Sequence, residues 1–158
     1  MAVQLTNKLM IESIITFKLF IWGLFLILMS ICYFDIRKRK IPNTAVFLLL
    51  IFLLISTLVY EINIYYISFF ITLFICFTLW MLGIWGAGDV KLLTVLSLFI
   101  SPGFLFASIL VVLVVGGVAA LCEYLTTKVI PSRKSKGVPY GVAICVGGCV
   151  GILASMGQ

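Results

Sequence analysis

The chain carries five carboxylates, Glu12, Asp35, Glu61, Asp89 and Glu123, and no histidine. Without imidazole, Ser-His and Cys-His nucleophiles, an HExxH zinc site and imidazole proton relays are all excluded, which leaves carboxylate, thiolate or lysine chemistry. Cys32, Cys76, Cys122, Cys145 and Cys149 are scattered through apolar stretches, none at the CxxC spacing of a zinc site or redox pair. They read as small polarizable residues of a membrane core, and no metal or cofactor is expected. Asp35 stands just before Arg37-Lys38-Arg39-Lys40, and Asp89 closes the string Gly86-Ala87-Gly88-Asp89. Either acid alone has an ordinary explanation, because a carboxylate at a membrane helix end reaches water or headgroups and needs no partner. For Asp89 the glycines weigh against it: Gly86 and Gly88 remove side chains where the backbone meets the carboxylate, which admits another helix or an extended peptide.

As a pair, the aspartates define a chemistry. Two carboxylates in close approach cannot both ionise cheaply, so one holds a proton at neutral pH while the other stays charged. The ionised member can take a proton from water as it attacks a peptide carbonyl, while the protonated member donates to the carbonyl oxygen. Which aspartate plays which part is open, since a coupled dyad titrates as a unit.

What must position them is a bundle of membrane helices. Of 158 residues, 64% are hydrophobic and 10% charged, too few polar groups to cover a soluble domain of this size. Apolar runs of about 20 residues recur, the length that crosses a bilayer core. The spans read as Ile14 to Phe34, Thr44 to Tyr60, Ile64 to Ile84, a long stretch from Val90 to Thr126 broken at Ser101-Pro102-Gly103, and Val138 to Met156. The first is expected to be retained, because it runs into a stop-transfer cluster rather than a small-residue cleavage site. The net charge of +6 comes from basic residues clustered between spans, which points to anionic headgroups and topology rather than to nucleic acid. Placing Arg37 to Lys40 on the same, cytoplasmic side as Lys128, Arg133, Lys134 and Lys136 requires an even number of crossings between them. That makes Ser101-Pro102-Gly103 a hairpin turn. The expectation is an all-α polytopic protein of six transmembrane helices, one domain over residues 1–158, both termini outside. Asp35, Asp89 and Glu123 then lie near the inner face. In the last span Gly147 and Gly151 are spaced for close helix contact.

These residues resemble a known family. DIRKRKIPN, from Asp35 to Asn43, resembles the first-aspartate motif of type IV prepilin peptidases, and GAGDVKLL, from Gly86 to Leu93, resembles their GxGD motif. GVPYGVAICVGG, from Gly137 to Gly148, is similar to the GxPYGxA stretch of their last helices. The three come in family order across most of the chain. The resemblance implies a GxGD-type aspartyl endopeptidase with Asp35 and Asp89 catalytic, at the cytoplasmic face of a bacterial inner membrane. Its substrates would be prepilin-like proteins, cut after a short basic leader that ends in glycine, just before a hydrophobic helix. The long members carry an amino-terminal region with paired CxxC motifs. This sequence lacks it and resembles the short, peptidase-only form associated with tight-adherence (Flp-type) pili or archaeal preflagellins, so N-methylation of the new amino terminus is not expected.

Other residues have plainer readings beside functional ones. Lys91 could tune the pair or hold a substrate carbonyl, but an anchor reaching for headgroups is the plainer reading. Pro42 and Asn43 form a turn, and Gly137, Pro139 and Tyr140 shape the entry of the last helix, although both loops could touch substrate. Glu123 reads as a solvated or ion-paired acid. A presenilin-type intramembrane protease would place its first aspartate in a YD motif and carry a PAL motif; here the string is Tyr33-Phe34-Asp35, and no PAL occurs. A proton-coupled transporter or scaffold would put its acids near mid-membrane rather than at the boundary.

Overall fold

The computed structural model describes residues 2–60, 62–129 and 137–157, with the backbone alone for residues 2–11 and 13. Glu61, Arg133, Lys134 and Lys136 lie outside the described residues. Among the described residues six helices follow one another: α1 (Ala2–Lys38), α2 (Asn43–Tyr60), α3 (Tyr66–Met81), α4 (Ala87–Ser97), α5 (Pro102–Val129) and α6 (Tyr140–Met156). Among the described residues there is no strand. The protein is an all-α membrane protein. The first, second and fifth helices are long and apolar enough to cross a bilayer, and α3 and α6 are shorter apolar helices of 16 and 17 residues. Large apolar side chains face outward, Leu58 85% and Phe106 77% exposed among them. In lipid this is the favourable arrangement, since each helix satisfies its own backbone hydrogen bonds and presents hydrocarbon to hydrocarbon.

Three helix boundaries differ from those read in the sequence. The first helix does not stop at Phe34 but continues a turn past Asp35, and Arg37 and Lys38 in that last turn suit the negative end of its dipole. The third helix ends at Met81, where Gly83 at φ +71° breaks it, so Gly86 to Asp89 open α4 rather than close α3. And α4 has only 11 residues, about 16 Å of helix, with the turn from Leu98 to Ser101 completing its passage.

That turn lies at the opposite end of the bundle from both aspartates. The Tyr65 N–H donates to the Leu98 carbonyl at 2.8 Å, and the Ser101 N–H donates to Ser155 Oγ at 2.8 Å, so the starts of α3 and α5 meet the ends of α4 and α6 there. The loops after α1 and α3 and the start of α6 gather at the other end. The chain thus turns between antiparallel helices at Leu98 to Ser101, with Pro102 and Gly103 opening α5, as the charge pattern required.

The core is built around α6, which packs on α1, α4 and α5, while α4 also meets α2 and α3. Glycines make the approach possible. A Cβ on Gly147 would overlap Val112 Cγ2, and one on Gly151 would sit 2.7 Å from Ser108 Oγ. Ser108 Oγ donates to the Gly147 carbonyl at 2.7 Å, tying α5 to α6 where the backbones are closest. Leu92, Leu96, Ile100, Ile144 and Ile152 are fully buried around this seam.

Candidate active site

Asp89 stands in the first turn of α4, and Asp35, near the C-terminal end of α1, reaches the N-terminus of α6. At α4 the N-cap is Gly86, in extended conformation, and Asp89 is the third helical residue. Its carboxylate receives the Gly86 N–H, the reach-back of a capping box with glycine in the cap position. A Cβ on Gly86 would lie 3.1 Å from Asp89 Oδ2, so a side chain there would crowd the acid. Gly88 serves another contact: its missing Cβ would stand 3.2 Å from the Ile41 Cβ, which lets the loop after α1 lie against the first turn of α4.

The first residue of α6 follows Pro139, a cap with no side-chain acceptor. Asp35 of α1 fills that role from across the bundle. Its Oδ2 accepts the Gly141 N–H at 2.8 Å, and the Val142 N–H also bonds to the carboxylate. A carboxylate at a helix N-terminus meets both free donors and the positive end of the dipole. Asp35 is consequently held in one orientation and is 6% exposed.

The loop from Arg39 to Pro42 then turns toward α4. Arg39 adopts φ +53°, the left-handed region that a non-glycine residue enters at some cost, and its N–H donates to the Asp35 carbonyl at 2.9 Å to end the helix. This brings Asp35, Arg39, Lys40 and Ile41 around one cavity of about 330 Å³ with Gly86, Ala87, Gly88 and Asp89. Burial first, and the neighbouring Asp35 carboxylate second, push the Asp89 carboxyl up to about 6, against the opposing Gly86 hydrogen bond. Asp89 lies outside the long apolar spans, in the first turn of the shortest helix. The two acids are therefore in electrostatic contact at the mouth of one cavity.

A sequence model of the type IV leader peptidase family matches residues 19–121, about two thirds of the chain and inclusive of both aspartates. The chain belongs to that family. Searches among curated proteins and among solved structures return no match. In this leader peptidase family member, Gly86 and Gly88 line the aspartate cavity, and Pro42, Asn43, Lys91, Gly137, Pro139 and Tyr140 are not among its lining residues. Lys91 Nζ donates to Asn43 Oδ1 at 3.1 Å, so these two residues link α4 to the start of α2. The Pro42 carbonyl accepts the Ala45 N–H at 3.0 Å and starts α2. Gly137 has φ +85°, and Pro139 is the N-cap of α6. The Tyr140 ring packs against Gly116, whose added Cβ would be 3.0 Å from Tyr140 Cε1, and lies 6.4 Å from the Trp85 ring.

Sequence reading did not assign Gly141, Arg39 or Ile41 to the site. Gly141 was legible only as one more helix-packing glycine, although its place two residues after the proline that begins the last helix marks an exposed backbone donor. Arg39 was absorbed into the basic cluster. Its Nε and Nη1 are buried without a hydrogen-bond partner, beside the Asp35 carboxylate. Among the described residues no group of histidine, cysteine or acidic side chains forms a metal site.

Proposed function

We propose that this protein is a membrane aspartyl endopeptidase that removes the basic leader from type IV prepilin-like proteins at the cytoplasmic face of the inner membrane. Asp35 and Asp89 activate water, and residues 1–158 act as one domain. The observation that supports this reading most directly is the shared cavity. Two carboxylates from distant parts of the chain, each oriented by backbone N–H groups, face one space with the Asp89 carboxyl held up to about 6.

In the reaction the ionised carboxylate removes a proton from a water molecule as its oxygen bonds to the scissile carbonyl carbon. The protonated carboxyl donates to the carbonyl oxygen. The tetrahedral centre then collapses: the carbon–nitrogen bond breaks, the departing amine takes the proton gained by the base, and the re-forming carbonyl returns its proton to the other carboxylate. The donors at the start of α6 orient the Asp35 carboxylate, and the Gly86 N–H orients that of Asp89; the two share one proton and titrate as a unit, one acting as base and the other as acid. Lys38 and Lys40, at the same end, attract anionic lipid headgroups and set that end on the cytoplasmic side.

The test is co-expression with a prepilin-like substrate, following leader removal by gel mobility in wild type, Asp35→Asn and Asp89→Asn at matched membrane levels. Asparagine keeps the shape and the hydrogen-bond acceptor but not the acid. Both variants should lose cleavage while remaining folded in the membrane. Near wild-type cleavage by either variant would overturn the two-aspartate mechanism.

A further inference from the structure

A second cavity, of about 570 Å³, lies between α2, α3 and α4. Its walls are Val46, Phe47 and Leu50 of α2, Leu73 of α3, and Val90 and Val95 of α4. It begins where the aspartate cavity ends: Val90 and Lys91 directly follow Asp89, and the hydrogen-bonded pair Asn43 and Lys91 edges its mouth. Both α2 and α4 run from the aspartate end toward the far end, so the groove leads from the carboxylates into the apolar part of the bundle. From Asn43 to Leu50 it follows about two turns of α2, roughly 10 Å.

Its position distinguishes it from an ordinary lipid-facing crevice. Val90 and Lys91 of its wall follow Asp89 without a break, and Val95 lies six residues, about 9 Å of helix, beyond Asp89, within reach of a segment joined to the bond being cut. A basic leader has no counterpart in walls of valine, leucine and phenylalanine, whereas an apolar helix matches them through side chains at i, i+3, i+4 and i+7.

We propose that this groove seats the first two helical turns of the apolar substrate segment that follows the scissile bond. The inference rests on the leader peptidase reading above and deepens it. It makes the side of the enzyme formed by α2, α3 and α4 the entry for substrate from the membrane, with the scissile bond drawn to Asp35 and Asp89 and the leader left in water. Selection would then be for apolar side chains of suitable bulk on one face of the substrate helix.

The experiment uses full-length enzyme in lipid vesicles and a synthetic peptide with a basic leader, a glycine junction and a 20-residue apolar helix. A benzophenone amino acid replaces Leu50 or Leu73, or Val150 on the outward face of α6 as the control, each in an Asp35→Asn background that leaves the peptide uncut. Irradiation should join Leu50 and Leu73 to the first two turns of the helix and leave Val150 unlabelled by peptide. In the otherwise native enzyme, Val95→Trp should raise KM tenfold or more, the loss falling on KM rather than kcat. Adducts from Leu50 and Leu73 to lipid alone, equal peptide labelling from Val150, or a wild-type KM for Val95→Trp would overturn the groove assignment. If those occur while wild type cuts the peptide and Asp35→Asn does not, the two-aspartate reading stands without the groove. If wild type cuts nothing, or Asp35→Asn cuts, the reading itself fails and the groove proposal falls with it.

Discussion

Asp35 Oδ2 accepts the Gly141 N–H at 2.8 Å across 106 residues of chain, so the last helix is capped by the acid of the first. The contact depends on glycine. A Cβ at position 141 would lie 2.7 Å from Asp35 Oδ2 and 2.9 Å from its Cγ, closer than atoms pack. Gly141→Ala must therefore push α1 from α6 or rotate the carboxylate out of the cavity. We predict that this variant inserts and remains helical but loses leader cleavage by roughly 100-fold, the scale on which an ångström of misplacement acts. Gly117→Ala, whose added methyl meets nothing within 4 Å, is the matched control and should cut at the wild-type rate. Comparable activity in the two variants would show that the cap does not position Asp35.

The other aspartate depends on a gentler contact. The missing Cβ of Gly88 would stand 3.2 Å from the Ile41 Cβ, tight but adjustable. Gly88→Ala should cost a few-fold in kcat/KM, and Gly88→Val far more, because a β-branched side chain cannot be absorbed by a few tenths of an ångström. Adding Ile41→Ala should restore much of the loss in Gly88→Ala. Measuring all four combinations gives the coupling directly. If the two substitutions simply add, the loop after α1 does not bear on α4 in the working enzyme.

Much of this architecture was legible in the sequence, for identifiable reasons. Hydrophobic runs gave the helices, and the matched basic clusters gave the turn at Ser101, because charge sides are conserved by counting crossings. The Asp35 and Asp89 pair stood out because few polar residues compete with it. Helix ends were read less well. The apolar run from Ile64 to Ile84 carries no sign that Gly83 would take a positive φ, so Gly86 to Asp89 passed for the end of α3 rather than the start of α4. The cap at Gly141 was invisible because it joins a backbone donor to an acid of another helix, and periodicity reports only one helix at a time. The groove between α2, α3 and α4 likewise requires three helices placed together.

The glycines of the seam between α5 and α6 make a stability contrast. Gly147 packs against Val112 Cγ2, and its added Cβ would lie 2.8 Å from the Ser108 carbonyl oxygen, so an added methyl meets backbone that cannot yield. Gly147→Ala should lower stability by about 2 kcal/mol, in the range of overpacked cores. Gly117→Ala should raise it by up to about 1 kcal/mol through helix propensity alone. Thermal unfolding in one detergent, at one pH, compares them. Stabilisation by Gly147→Ala would mean that the helices are not in contact along this line.

Asp89 offers the sharpest dependence on pH. Its carboxyl is raised from the ordinary 3.8 to about 6, chiefly by burial and then by the Asp35 charge, so the folded protein binds this proton more tightly than the unfolded chain. Stability therefore falls as pH rises from about 4 to about 6, and the deficit is complete above that window. The shift corresponds to at most about 3 kcal/mol, reduced to about 1 to 2 kcal/mol by the partial exposure of the group. Asp89→Asn keeps an acceptor for the Gly86 N–H and removes the deficit. At pH 7.5 it should melt several degrees above wild type, while at or below pH 4 the two should coincide. Asp35→Asn should narrow the window by removing the second cause of the shift. Equal melting at pH 7.5, or a gap that persists undiminished in acid, would show that the fold does not raise the Asp89 carboxyl.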